Sequence, residues 1–195
     1  MSTSFGAPPM DSQFRVIAGG LRREIRLRGV RVVAAPRSAQ PFAVDALVFE
    51  EDTYLVLSAD PKAVSPEVHP VRLMTGALDF SPEAPGSVVV QETSPLRLLA
   101  VVDDVDQDPI CQEAWVAHAL KAVFRIVEAR RLKAIGFQML GTCHGRLPPA
   151  RFAELLFDAL SGYPEGLGLT RLWIDAPVPV NRDVIALLTQ NRSLS

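Results

Sequence analysis

Short aliphatic runs bounded by turn residues recur along this chain, and in its second half they alternate with amphipathic helical stretches. Ala46-Leu47-Val48-Phe49, Ser87-Val88-Val89-Val90, Leu98 to Val102, Ile135 to Leu140 and Leu172-Trp173-Ile174 are apolar almost throughout. Such runs suit strands covered on both faces, because a strand with one wet face alternates polar and apolar residues. Tyr54-Leu55-Val56-Leu57 reads as a further strand, although four residues fit part of a helix equally well. Leu120, Val123, Phe124 and Val127 fall at i, i+3, i+4 and i+7, one apolar face of a helix from about Ile110 to Arg130. Arg130, Arg131 and Lys133 follow at its carboxyl end, where cations suit the helix dipole. Phe152, Leu155, Leu156 and Ala159 repeat the spacing, with Pro148 or Pro149 in the first turn and Gly162 at the end. Val184, Ile185 and Leu188 mark a shorter last helix. Strand, helix, strand, helix, strand, helix requires parallel strands with helices packed on the sheet.

The first part reads differently. Met1 to Ser12 is small, polar and proline-containing, and is expected to be a flexible tail (1–12) before one α/β domain over 13–195. Arg15, Arg22, Arg23, Arg26, Arg28 and Arg31 follow closely. Glu24-Ile25-Arg26-Leu27-Arg28 alternates with period two, and Val30 to Ala35 resumes after Gly29. The pattern predicts an antiparallel hairpin near a sheet edge, with arginines on its open face. Pro66, Pro70, Pro82 and Pro85 punctuate the middle of the chain, which is expected to be loops with at most a short helix.

Composition narrows the class. The 195 residues are 48% hydrophobic and 22% charged with a net charge of −2, which excludes a disordered chain and gives no general attraction to nucleic acid or anionic lipid. No apolar stretch approaches the ~20 residues of a membrane span. The amino terminus has no basic region followed by an apolar one, as a secretory signal would. Two cysteines, Cys111 and Cys143, make no disulfide framework, so a reduced, cytoplasmic setting is expected. No residue spacing calls for a cofactor or a zinc ion.

In α/β sheets ligands bind beyond the carboxyl ends of the strands. The loop in that position is Gly141-Thr142-Cys143-His144-Gly145-Arg146, between the Ile135 strand and the Pro149 helix. Glycines allow close backbone approach, amides before a helix favour anions, and Thr142 and Arg146 offer a hydroxyl and a guanidinium. A tight strand-to-helix turn explains the same spacing.

Ile135 to Leu160, IGFQMLGTCHGRLPPARFAELLFDAL, resembles the stretch of macrodomains in which an apolar strand enters a Gly-Thr-Gly phosphate loop and then a helix. Val44-Asp45-Ala46-Leu47-Val48 resembles their Val-Asp-Ala-Ile-Val strand, and Gly86 to Val105 the segment leading into the central strand. The likeness spans roughly Val30 to Asp175. It implies a three-layer α/β/α sandwich with a mixed, mostly parallel sheet, and ADP-ribose or a related nucleotide as ligand. Gly141, Thr142 and Gly145 match the second phosphate loop, while Cys143 stands at its second glycine. The family's Asn-Ala-Ala-Asn run is replaced by Phe49-Glu50-Glu51-Asp52, and its triple glycine by Ser58-Ala59-Asp60-Pro61. Pro36-Arg37 stands where the family places an adenine-contacting aspartate. These departures imply a divergent or degenerate member.

Other groups carry weaker signals. Cys143 and His144 suggest a thiol nucleophile, but adjacent residues rarely point at one another and a base must reach the sulfur. Asp103, Asp104, Asp106 and Asp108 suit a hard cation, or else a solvated turn in which Asp106 or Asp108 caps the next helix. Glu50, Glu51 and Asp52 form a similar group, and the two would act together only if both strand ends met at one sheet edge. His69 and His118 are isolated, with His118 expected partly buried beside Trp115. Three functions compete: a macrodomain-like module binding ADP-ribose or a related nucleotide or phosphate ligand, a hydrolase of ADP-ribosyl or nucleotide phosphate bonds, and a domain that has lost its ligand and serves a protein partner. The hydrolase would draw its base from Asp103, Asp104 or Glu51.

Overall fold

The computed structural model describes residues 22–57, 81–164, 166 and 168–192. The expected tail, Arg15, Asp60-Pro61, the loops around Pro66 and Pro70, and His69 lie outside these residues. Seven strands form one sheet: β1 (Arg23–Leu27), β2 (Val30–Ala35), β3 (Ala46–Asp52), β4 (Val88–Gln91), β5 (Leu96–Asp103), β6 (Ala134–Gln138) and β7 (Arg171–Asp175). Three helices, α1 (Glu113–Ala129), α2 (Pro149–Ser161) and α3 (Val178–Arg192), follow β5, β6 and β7. The strand order is β1-β2-β7-β6-β3-β5-β4. The five central strands are parallel and the two outer strands antiparallel to their neighbours. No described helix is long and apolar enough to cross a membrane.

The sheet has two apolar faces. Val32, Val48, Leu98, Phe137 and Leu172 pack with all three helices into the main core. On the opposite face Val33, Ala35 and Trp173 gather with Phe42, Val44 and Leu47. Trp173 donates its indole N–H to Ala35 O at 2.9 Å. Its ring crosses Gly136, where a Cβ would come within 2.7 Å of it, so β6 can only carry glycine there without displacement. The expected hairpin forms β1 and β2, with Arg26 opposite Arg31. Arg31 forks onto Glu24 Oε2 at 2.6 and 3.1 Å.

Four expectations are corrected. Tyr54 to Leu57 is a turn, because Asp52 Oδ1 accepts the Tyr54 and Val56 amides at 2.6 and 3.4 Å and Leu55 takes a φ of 58°. Val88–Gln91 is an antiparallel edge strand, paired among the described residues only with β5, so its side chains are half-buried rather than central. The last helix runs 15 residues, its apolar signal diluted by polar and charged positions. The helix expected from about Ile110 begins at Glu113, because Cys111 bridges back to Asp103 in extended conformation.

Candidate functional site

Across the carboxyl ends of β3 and β6 lies a cleft of about 420 Å³. Arg37, Phe49, Glu50, Leu57, Arg97, Gln138, Cys143 and His144 line it. The parallel pairing of β3 with β6 brings Phe49 and Glu50 beside Gln138 and the loop that follows. Gln138 Oε1 accepts the Glu50 N–H at 3.0 Å, and Glu50 Oε1 accepts the His144 N–H at 3.0 Å. Phe49 lies beneath two guanidinium groups, with Arg97 at 4.8 Å and Arg37 at 5.7 Å from the ring centre. Such cation–π contacts hold arginines against an apolar surface. Arg37 also bridges to Asp175 Oδ2 at 3.2 Å.

Of the six loop residues expected to hold phosphate, Cys143 and His144 reach the cleft. Gly141 and Gly145 instead turn towards Cys111, with a Cβ on Gly145 falling 2.2 Å from Cys111 Cβ. Thr142 folds its hydroxyl and amide onto Met139 O, at 2.6 and 3.2 Å. Arg146 is exposed, with a φ of 56°. Leu147 N–H closes the loop on Gly141 O at 2.8 Å.

The two acidic groups do meet, because β3 pairs with β5. Glu51 Oε1 accepts the Asp52 and Leu57 amides, at 3.2 and 2.6 Å, which accounts for a fully buried carboxylate. Asp103 is buried against Glu50 and Cys111, and both side chains lie within hydrogen-bonding reach of its carboxyl. Burial first, and then the Glu50 charge, pushes its carboxyl up to about 7. The same two causes, with Asp103 itself, push the Cys111 thiol up to about 12. Cys143 is raised too, by burial and then by Glu50 and Asp103. Burial and the neighbouring carboxylates thus favour the protonated form of both thiols.

Asp104, Asp106 and Asp108 stay at the surface of the following turn. Asp104 accepts from Asp106 N–H and Gln107 Nε2, and Asp106 Oδ2 accepts the Tyr54 hydroxyl at 2.6 Å. Neither Asp106 nor Asp108 caps α1, whose N-cap is Gln112 with no side-chain bond. His118 is exposed, not partly buried, because its position faces outward and its Cβ rests over Gly86. Among the described residues no group of three His, Cys, Asp or Glu side chains suits a metal ion. Asp103, Asp104 and Glu51 all lie outside the cleft lining, whereas Glu50 is part of it.

Arg97 and Gln138 escaped the sequence reading of the site, while Arg37 and Phe49 entered it only as departures from the macrodomain pattern. Arg97 is a cation at the start of an otherwise apolar run. Its position opposite Leu47 and beside Phe49 depends on the β3–β5 register, which no local pattern displays.

A parallel-centred sheet with helices after its strands defines an α/β architecture, with a polar cleft at the carboxyl ends of its strands. Solved structures place it more narrowly. A macrodomain of Oceanobacillus iheyensis with MES bound aligns over 87% of this chain and 98% of its own, at 14% identity and a TM-score of 0.63. The macrodomain of Thermus aquaticus DarG aligns over 75% and 98%, at 17% identity and a TM-score of 0.53. A Trypanosoma brucei macrodomain in complex with ADP-ribose aligns over 83% and 68%, at 12% identity and a TM-score of 0.54. No protein-family model matches the sequence, and no curated protein matches it. The chain has a divergent macrodomain-like fold.

Proposed function

We propose that the cleft binds ADP-ribose or a related nucleotide in a cytoplasmic protein, and that the chain is a binding module. The observation that carries this reading is the pair of guanidiniums, Arg37 and Arg97, set over Phe49 in a cleft at the carboxyl ends of β3 and β6. Those groups supply the charge a diphosphate needs, and the volume suits a small organic ligand. Cys143 and His144 of the Gly141–Arg146 loop form the wall beyond β6. That the Trypanosoma brucei macrodomain is a complex with ADP-ribose supports the ligand class.

Calorimetric titration with ADP-ribose tests the reading. Saturable binding is expected, weakened at least ~5-fold in Arg97→Ala and less sensitive to salt there. No heat at millimolar ligand would exclude nucleotide binding and leave a module that serves a protein partner.

A further inference from the structure

Glu50 is 5% exposed yet lines the cleft. Its backbone is held by Gln138 and its Oε1 by the His144 amide, 94 residues further along the chain. That amide belongs to the Gly141–Arg146 loop, and α2 beyond it opens on Pro148 and Pro149, which carry no N–H to offer an anion. The His144 amide is thus already taken by a carboxylate of the protein itself. Glu50 Oε2 is buried, and Asp103 behind it is 1% exposed and within hydrogen-bonding reach of Glu50 and Cys111. The titratable and charged groups around Glu50 are Asp103 on β5, Asp52 on its own strand, Cys111 ahead of α1, and Cys143 and His144 in the loop. Arg37 and Arg97 share the cleft with it.

We propose that Glu50 determines specificity in this cleft: its carboxylate occupies the His144 amide of the Gly141–Arg146 loop, so that end receives a hydrogen-bond donor of the ligand, such as a sugar hydroxyl, while phosphates lie towards Arg37 and Arg97. The inference rests on reading the cleft as the ligand site. A phosphate oxygen beside Glu50 would meet like charge in a poorly solvated setting, which rejects it by repulsion. A hydroxyl there meets the carboxylate as a hydrogen-bond donor rather than as a like charge. Rejection is strongest above about pH 7, where Asp103 is also ionised, and eases below it as Asp103 takes a proton and becomes a donor to Glu50.

Glu50→Gln keeps an acceptor for the His144 amide and removes the charge. The probe is sulfate, a dianion throughout the range used, titrated at about pH 8 and about pH 6 and followed by amide NMR shifts. The wild type should bind sulfate more tightly at the lower pH. Glu50→Gln should bind it roughly tenfold more tightly at the higher pH and respond little to pH. In ligand-free wild type the His144 amide resonance should move through about pH 7, and in Asp103→Asn it should not. Equal sulfate affinity at both pH values with a stationary His144 amide overturns the proposal, even if Glu50→Gln fails to fold. ADP-ribose binding alongside that result would leave the cleft reading standing without Glu50. Tighter sulfate binding by Glu50→Gln, with no ADP-ribose binding by either protein, would uphold Glu50 and remove the nucleotide.

Discussion

A Cβ on Gly145 would lie 2.2 Å from Cys111 Cβ, 2.7 Å from its Sγ and 2.9 Å from Gly141 O. Two of those three contacts involve backbone or Cβ atoms that cannot rotate away. Gly145→Ala should therefore cost about 1–3 kcal/mol as an overpacking change, read as a lower urea midpoint at unchanged slope. In a Gly145→Ala/Cys111→Gly double variant part of that loss should return, with a coupling above about 0.5 kcal/mol. A fully additive cycle would place the constraint elsewhere in the loop. The contact also explains what the sequence could not display at this position. Gly-Thr-Cys-His-Gly carries the spacing of a ligand loop, and the loop does stand at the cleft. Yet Gly141 and Gly145 answer to a cysteine more than 25 residues upstream. Nothing local names that partner, so the glycines read as space for a phosphate. Glu50 misleads in the opposite direction. A run of three carboxylates reads as solvated, and here Glu50, Glu51 and Asp52 are all buried. Their burial depends on amides of a turn and of a distant loop, which appear only once the chain is folded.

Helices were the most legible elements, because a 3.6-residue period over three or four turns has few alternatives. In α2 the expected stripe is buried as read: Phe152, Leu155, Leu156 and Ala159 all face the core, Pro149 stands in the first turn and Gly162 caps the end. Leu156 is 1% exposed, and Leu156→Ala should cost about 2–5 kcal/mol through lost transfer energy and a residual cavity. Asp158→Ala on the exposed side of the same helix should stay within about 0.5 kcal/mol. Chemical denaturation of both separates the two faces, and equal losses would refute the assignment. Strands were legible as runs but not in place. Val88 to Val90 and Leu98 to Val102 look alike in sequence, yet one forms an edge strand and the other pairs on both sides. Neighbour count is a property of the assembled sheet, and an aliphatic run states only that the strand can be buried. Tyr54 to Leu57 failed for a different reason. The Asp52 carboxylate captures the amides of Tyr54 and Val56, and a side-chain bond of that kind outcompetes a ladder.

At the scale of the molecule, alternating strands and helices in the second half forced the parallel centre, and the arginine-rich hairpin took the edge. Near-neutral net charge conceals a cluster of acids sealed under the carboxyl ends of β3 and β5. That cluster should govern how stability varies with pH. Asp103 is raised from 3.8 to about 7 in the folded state, so between those values the native protein holds a proton that the unfolded chain has released. Stability therefore falls as pH rises through that window, by at most about 1.4 kcal/mol per pH unit, and levels off above about 7. Cys111, raised from 9.0 to about 12, adds a fall only in the alkaline range. Glu92 and Glu113 are lowered by their hydrogen bonds to Arg130 and Arg151, which gives an opposite slope in acid. Those terms are common to wild type and Asp103→Asn, so the difference between their melting curves isolates the buried carboxyl. The variant should melt above the wild type at about pH 8, with the gap narrowing steadily towards about pH 5, since an amide keeps a donor for Glu50 without a charge to bury. A difference that stays constant across that range would show that Asp103 is not the group that titrates, and that the protonation resides elsewhere in the cluster.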